Sequence, residues 1–305
     1  MRFAERLFLA AGRVSSALPP FRGKARAVLL LYKLLRLNGR HVRVRARMRR
    51  PARFQMDLDL HAWLQRLAFV TGGYEAETVE LLLDLHGRKN DGYLLDVGAN
   101  VGFIAIPFAL RANAPVVAVE AVPDNVAVLR RNIEANGLAA SVTVVPFALG
   151  TAPGRVQIQV EGDLEAGAGT GTANILPDGS TYDCVWQEIE VTTLDLLHLP
   201  RGCTVIKLDT DGYDLKVLQG GVEFLARERP LVFGEFSAHC LAWHGQTIAD
   251  VVAFARAQGY DVFRFPRGED LLWVPVELDD GSLQHRLHAI PIGTLAVDAD
   301  ERLGP

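Results

Sequence analysis

Leu94-Leu95-Asp96-Val97-Gly98-Ala99-Asn100-Val101-Gly102-Phe103 is the stretch whose reading decides the fold. A short apolar run ends in an acid, two glycines follow four positions apart, and apolar residues resume at helical spacing. That is the pattern of a buried parallel strand turning sharply into a helix. Glycine suits such a turn because it reaches positive φ and lets a ligand approach the backbone with no Cβ in the way. An ordinary strand–helix turn needs only one glycine and a cap. The second glycine, the acid closing this strand and the acid closing the next, Glu120, point instead to a nucleotide-type site.

Outward from that turn, strands and helices alternate. Pro115 to Glu120 reads as a second buried strand, and Pro123 opens a helix whose Val126, Leu129 and Ile133 share a face until Asn136-Gly137 ends it. Ser141 to Leu149 is a third apolar run. Thr204 to Leu208 is the next strand, closed by Asp209-Thr210-Asp211-Gly212, after which Leu215, Leu218, Val222 and Leu225 form a helical stripe. Pro230 to Glu235 is a further strand, Thr247 to Gln258 a helix, and Tyr260 to Phe265 a strand; Trp273, Val274, Val276 and Ala289 to Ile292 fit antiparallel additions. Glu77 to Leu85 reads as a helix leading into the core. Residues 161–183, with five glycines and no periodicity, read as a loop, either a lid or a plain surface connection.

Alternation through residues 94–265 predicts an α/β fold with a doubly wound, mostly parallel sheet. Ligands in that architecture sit beyond the carboxyl ends of the strands, near the switch point. Asp96, Glu120, Asp209, Asp211 and Glu235 all fall there.

The charge is divided unevenly. Residues 1–53 carry fifteen Lys and Arg against one acid, Glu5, a net +14, while the remainder carries seventeen against thirty-five, a net −18. We therefore divide the chain into a basic, mainly helical extension, 1–53, and a domain from 54 to 305 with its core at 72–265. Pro19-Pro20 breaks the extension; Val28, Leu31, Leu34 and Leu35 share a helical face in its second part, and His41 to Arg47 alternates like a strand. The extension suits either a membrane-surface amphipathic helix or a helix packed on the core. Nucleic acid is disfavoured by the scarcity of aromatic platforms. No apolar run reaches the roughly 20 residues that span a bilayer, and the N-terminus lacks a clean signal-peptide pattern. Three widely spaced cysteines, Cys184, Cys203 and Cys240, fit neither a disulfide framework nor a zinc site. A cytoplasmic setting follows, with peripheral contact at the inner membrane face and homo-oligomerisation left open.

Asp96-x-Gly98-x-x-x-Gly102 differs from the dinucleotide fingerprint G-x-G-x-x-G, because Asn100 stands where a pyrophosphate needs a bare backbone. Glu120 follows Gly98 by 22 residues, about the ~20-residue spacing at which a carboxylate reaches ribose hydroxyls. A ribose without a pyrophosphate, beside an acid that can hold an ammonium group, describes S-adenosylmethionine better than NAD. The cofactor candidates are Asp96, Gly98, Ala99, Asn100, Gly102 and Glu120.

The ordered set then resembles the FkbM family of methyltransferases. It comprises Asp96 to Gly102, Glu120 with Pro123 and Asn125, Asn132 and Asn136, Thr193-Leu194-Asp195, Ile206-Lys207-Leu208-Asp209 with Gly212, Val217-Leu218-x-Gly220, and a strand closing on Glu235. The resemblance implies a Rossmann-like class I methyltransferase fold, S-adenosylmethionine as cofactor, and O-methylation of a sugar, glycan or polyol hydroxyl. A polyketide-type acceptor, an NAD-dependent oxidoreductase and a non-catalytic S-adenosylmethionine-binding protein are the alternatives. The family's usual D-V-E-G is Asp209-Thr210-Asp211-Gly212 here, and its following Glu is Asp214, so the same charges have a shorter reach.

Methyl transfer to a hydroxyl needs the proton accepted by a group within hydrogen-bond reach. Asp209 and Asp211 are the first candidates and His239 the second. Lys207, inside an apolar strand, needs a partner there, and pairing with a nearby acid suits it better than catalysis. No metal site is assigned, since nothing separates Asp209, Asp211 and Glu235 as Mg²⁺ ligands from a metal-free acid cluster.

Overall fold

The structure is a computed structural model that describes residues 3–19, 23–89, 91–161, 185–265, 269–283 and 290–291. The loop expected at 161–183 and Cys184 lie outside the described residues, apart from Glu161.

The N-terminal layer comprises α1 (Phe3–Ala17), α2 (Lys24–Leu34), β1 (Arg43–Met48), β2 (Phe54–Asp59) and α3 (Trp63–Thr71). Phe8 seats α1 by meeting Tyr32 of α2 at 5.0 Å and Phe69 of α3 at 6.2 Å between ring centroids. Burying one such ring contributes roughly 1.5–3 kcal/mol. In α2, Val28, Leu29, Tyr32 and Leu35 turn inward, whereas Leu34 is 71% exposed. The face expected there is thus rotated: Leu34 leaves it, and Leu29 and Tyr32 join it. β1 and β2 form an antiparallel hairpin across the boundary expected at 53. The hairpin also belongs to the core. Asn132 and Asn136 accept from the Asp57 and Gln55 amides at 2.6 and 2.8 Å, and Asn132 donates to Val101 O at 2.9 Å.

The core runs α4 (Ala76–Gly87), β3 (Tyr93–Val97), α5 (Ala105–Ala112), β4 (Val116–Val119), α6 (Pro123–Ala135) and β5 (Val142–Val145). A second, three-stranded sheet follows from β6 (Ala148–Leu149), β7 (Gly154–Glu161) and β8 (Val185–Thr192). The chain returns through β9 (Cys203–Leu208), α7 (Asp214–Gln219), α8 (Val222–Glu228), β10 (Leu231–Glu235), α9 (Ala238–Trp243), α10 (Ile248–Ala257), β11 (Tyr260–Arg264), β12 (Asp270–Pro275) and β13 (Ile290–Pro291).

Among the described residues the main sheet has the order β5-β4-β3-β9-β10-β12-β11-β13. The pairs from β5 through β10 are parallel, and β12 runs antiparallel between β10 and β11. Both faces are covered, so β3, β4 and β9 are buried at every residue, as continuous apolar strands require. This is a Rossmann-like, doubly wound architecture. From β3 the chain moves outward to β4 on one side, and β9 takes the other side. That reversal leaves a crevice at the carboxyl edge.

Candidate active site

A cavity of about 250 Å³ opens at that crevice, walled by the ends of β3, β4, β9 and β10 with the small second sheet beside them. Its first half is the turn after β3. Gly98 adopts φ 82° and Asn100 φ 50°. The amides of Gly98 and Ala99 both donate to Val119 O, at 3.0 and 2.9 Å, which pins the turn to β4. A Cβ on Gly98 would overlap the Asp209 carbonyl, so the left-handed backbone and the close passage of β9 both demand glycine.

Glu120 fastens the turn from the other side. It accepts from Asn100 N and Val122 N, each at 2.8 Å, and still stands in the cavity wall with acceptor capacity left. Burial pushes its carboxyl above the usual range, against the pull of those two amides.

Two of the expected cofactor residues lie elsewhere. Asp96 is fully buried behind the wall, with Lys207 Nζ 3.8 Å from its carboxylate. It is the penultimate residue of β3, and the next residue, Val97, is the one that reaches the wall. Gly102 (φ 100°) also lies off the wall, and a Cβ there would crowd Ile106 and Leu129. Its role is to let α5 begin against α6.

The second half is acidic. Lys207 Nζ donates to Asp209 Oδ2 at 3.0 Å. Burial alone would pull this ammonium down, but the charges of Asp209, Asp96 and Glu75 outweigh it and hold Lys207 protonated. Asp211 has φ 51°, a conformation uncommon for a side-chain-bearing residue and a mark of functional turns. Burial, with the charges of Asp209, Asp214 and Glu235 around it, pushes its carboxyl up to about 7. Glu235, exposed at the mouth, is likewise pushed up to about 7, by partial burial and by Asp209, Asp270 and Glu269.

Asp214 is fully buried and off the wall. It accepts from Thr210 N at 3.0 Å, Thr210 Oγ1 at 2.7 Å and Gly212 N at 3.1 Å. Its shorter side chain therefore shapes the Asp209–Gly212 turn from behind rather than the pocket. His239 does not join the site: it sits exposed in the first turn of α9, edge-on to Trp243 at 5.0 Å, outside the cavity lining.

Tyr74 and Glu75 line the cavity and were not singled out in the sequence. Glu75 precedes α4 with φ 47°, and burial together with Asp209 and Asp96 raises its carboxyl against the pull of Lys207. In the sequence it is one more acid before a helix; only the fold brings it to β9. No group of three or more His, Cys, Asp or Glu among the described residues is arranged to hold a metal ion.

The wall fits S-adenosylmethionine. Glu75, Glu120, Asp209, Asp211 and Glu235 face one ammonium, Lys207, so the chemistry favours a cofactor bearing both a sulfonium and an ammonium. Apolar Val119, Val122, Phe147 and Leu149 can flank a flat base, and Asn100 lines the wall with its Oδ1 accepting from Val101 N at 2.8 Å.

Several known proteins resemble parts of this chain. A ribosomal protein L11 methyltransferase of Geobacter sp. (strain M21) is 33% identical over 125 residues, which are 37% of this chain and 40% of that enzyme's length. Among solved structures, a methyltransferase FkbM from Methylobacillus flagellatus KT superposes with TM-score 0.41 at 17% identity, over 60% of this chain and 43% of that one. TYW2 of M. jannaschii in complex with AdoMet gives 0.42 at 12% identity, over 78% and 85%. The pattern that defines the "Methyltransferase FkbM domain" matches residues 96–262, more than half the chain, from the end of β3 into β11. The chain belongs to the FkbM family of S-adenosylmethionine-dependent methyltransferases.

Proposed function

We propose that this methyltransferase methylates a hydroxyl of a sugar, glycan or related polyol, with Asp211 as the general base. One arrangement carries the reading: Asp211 stands in the cavity wall just beyond the end of β9, among Asp209, Asp214 and Glu235, where burial and their charges push its carboxyl up to about 7. A base with a pKa near the working pH combines the ionised state with a useful proton affinity. Asp209 is the weaker candidate because Lys207 already holds it at 3.0 Å.

The bound cofactor supplies an electrophilic methyl group on sulfonium. Asp211 accepts the hydroxyl proton as that oxygen takes the methyl. Lys207 and Asp214 keep the Asp209–Gly212 turn in place, and positioning of this kind supplies much of the rate. A wall so rich in carboxylates suits the many donors of a polyol better than the apolar surface of a polyketide. The same excess of carboxylate favours an amine acceptor as the second reading.

Incubation with labelled S-adenosylmethionine and separate panels of glycans, polyketides and lysine-containing peptides tests the acceptor. Label on glycan hydroxyls supports the first reading and label on amines the second. On the accepted substrate, Asp211→Asn should lower kcat about 10²–10⁴-fold and abolish the pH-rate limb near 7, a far larger effect than any on cofactor affinity. Near-normal turnover of that variant places the base elsewhere.

A further inference from the structure

Helix α1 is apolar on two sides. Phe8, Leu9, Gly12 and Ser15 form its buried stripe. On another side Phe3, Leu7, Val14 and Leu18 are 81, 41, 61 and 44% exposed, and their spacing keeps them within one helical face. Leu30 and Leu34 of α2, one turn apart, are 56 and 71% exposed. The two helices lie antiparallel. Lys24 Nζ donates to Leu18 O at 3.0 Å at one end, and Arg40 approaches Glu5 at 3.8 Å at the other. Leu34 therefore lies toward the Phe3–Leu7 end of α1. Large apolar side chains gathered on one layer mark an interaction surface rather than ordinary scatter.

Cations surround them. Arg6, Arg13, Arg26, Lys33 and Arg36 are exposed, and no ion pair with a carboxylate engages them among the described residues. We propose that α1 and α2 seat the enzyme on an anionic lipid bilayer. The apolar side chains enter the headgroup boundary, and the long basic side chains bury their stems while reaching phosphates. Charge decides between a bilayer and a second copy of this chain, because an isologous contact would set this basic face against itself. No helix among the described residues is long and apolar enough to cross a membrane, so the contact lies on the surface. The sequence placed the apolar face of the extension at Val28, Leu31, Leu34 and Leu35; the structure moves much of the exposed apolar surface to α1, because Val28, Leu29, Tyr32 and Leu35 already pack inward. The proposal does not depend on the acceptor's identity.

Co-sedimentation of the full chain with phosphatidylcholine vesicles, with and without phosphatidylglycerol, tests it. Binding should be at least about tenfold stronger with the anionic lipid, and should fall severalfold at high salt without vanishing. The triple variant Leu7→Ser, Val14→Ser, Leu34→Ser should lose more than about tenfold of that binding, with melting temperature and cofactor affinity unchanged because the three side chains are exposed. Equal, weak pelleting with both vesicle types overturns the proposal, as does binding that the triple variant retains. A concentration-dependent dimer in sedimentation velocity, abolished by the same variant, would assign the face to a second copy and also overturn it.

Discussion

At the cavity, Glu75, Glu120, Asp209, Asp211 and Glu235 crowd around one ammonium, Lys207, while residues 1–53 carry fifteen bases and a single acid. Like charges gather in both places, but with different physical consequences. The wall acids are partly or wholly out of water, where repulsion is weakly screened and moves proton affinities. Their positions are enforced by fixed bonds: Asp214 braces the turn with three hydrogen bonds, and Lys207 holds Asp209. The N-terminal bases mostly stand in solvent, where salt screens them. Apolar packing and two asparagine clamps hold their layer. The cavity should therefore respond sharply to small backbone and charge changes, and the N-terminal layer weakly.

Glycine substitution tests that contrast most strongly. Gly98→Ala forces a side chain into φ 82° and onto the Asp209 carbonyl. Strain and overpacking together should cost about 2–5 kcal/mol, read as a large fall in melting temperature and in calorimetric cofactor affinity. Gly39→Ala has φ 72° but nothing within 4 Å, so only the conformational cost remains, about 1–2 kcal/mol. Equal losses in the two variants would show that φ alone, not the close passage of β9, explains Gly98.

Much of this was legible in the sequence. The strand–turn–helix at Asp96–Gly102 and the strands leading to Glu120, Asp209 and Glu235 form as the periodicity predicts, whereas the stripe from Leu215 is split at Gly220-Gly221 into α7 and α8 and leaves Val222 exposed. What stayed hidden depends on direction rather than type. A strand-end acid can line the crevice or lie behind its wall, and Asp96 lies behind. A motif glycine can make room for a ligand or for a neighbouring helix, and Gly102 does the second. A helix with two apolar stripes, such as α1, does not say which one finds a partner. Glu75 could not be placed at all, because its closeness to β9 exists only after β3 has paired with β9.

The asparagine clamps give the next test. Asn132 is fully buried, takes the Asp57 amide at 2.6 Å and gives a hydrogen bond to Val101 O at 2.9 Å. Asn132→Ala leaves these groups unsatisfied in a dry place and should cost about 1–3 kcal/mol, with the β1–β2 hairpin losing amide-exchange protection first. Asn136→Ala, whose bonds to Gln55 are exposed, should cost less because water replaces the lost partner. Equal costs would mean that the hairpin is held by apolar packing and not by these amides.

The one stabilising change is also the one whose sign is least intuitive. Asp211 carries a folded-state pKa of about 7, against roughly 3.9 in an unfolded chain. The folded form therefore binds the proton more tightly, and its contribution to stability is fully present below about pH 4 and is lost as pH rises through 7. Above that, the ionised carboxylate is destabilising because Asp209, Asp214 and Glu235 surround it in a half-buried turn. Asp211→Asn keeps the shape and removes the charge. The variant should match the parent near pH 4 and exceed it at pH 8. The gain should be on the order of 2 kcal/mol, a few degrees in melting temperature, after the neighbouring carboxylates absorb part of the relief. The same change removes the proposed base, so a variant more stable and less active at pH 8 is the expected pair of outcomes. Stability that stays equal across the whole range would mean that water reaches Asp211 freely, and the argument for a base tuned to neutral pH would fall with it.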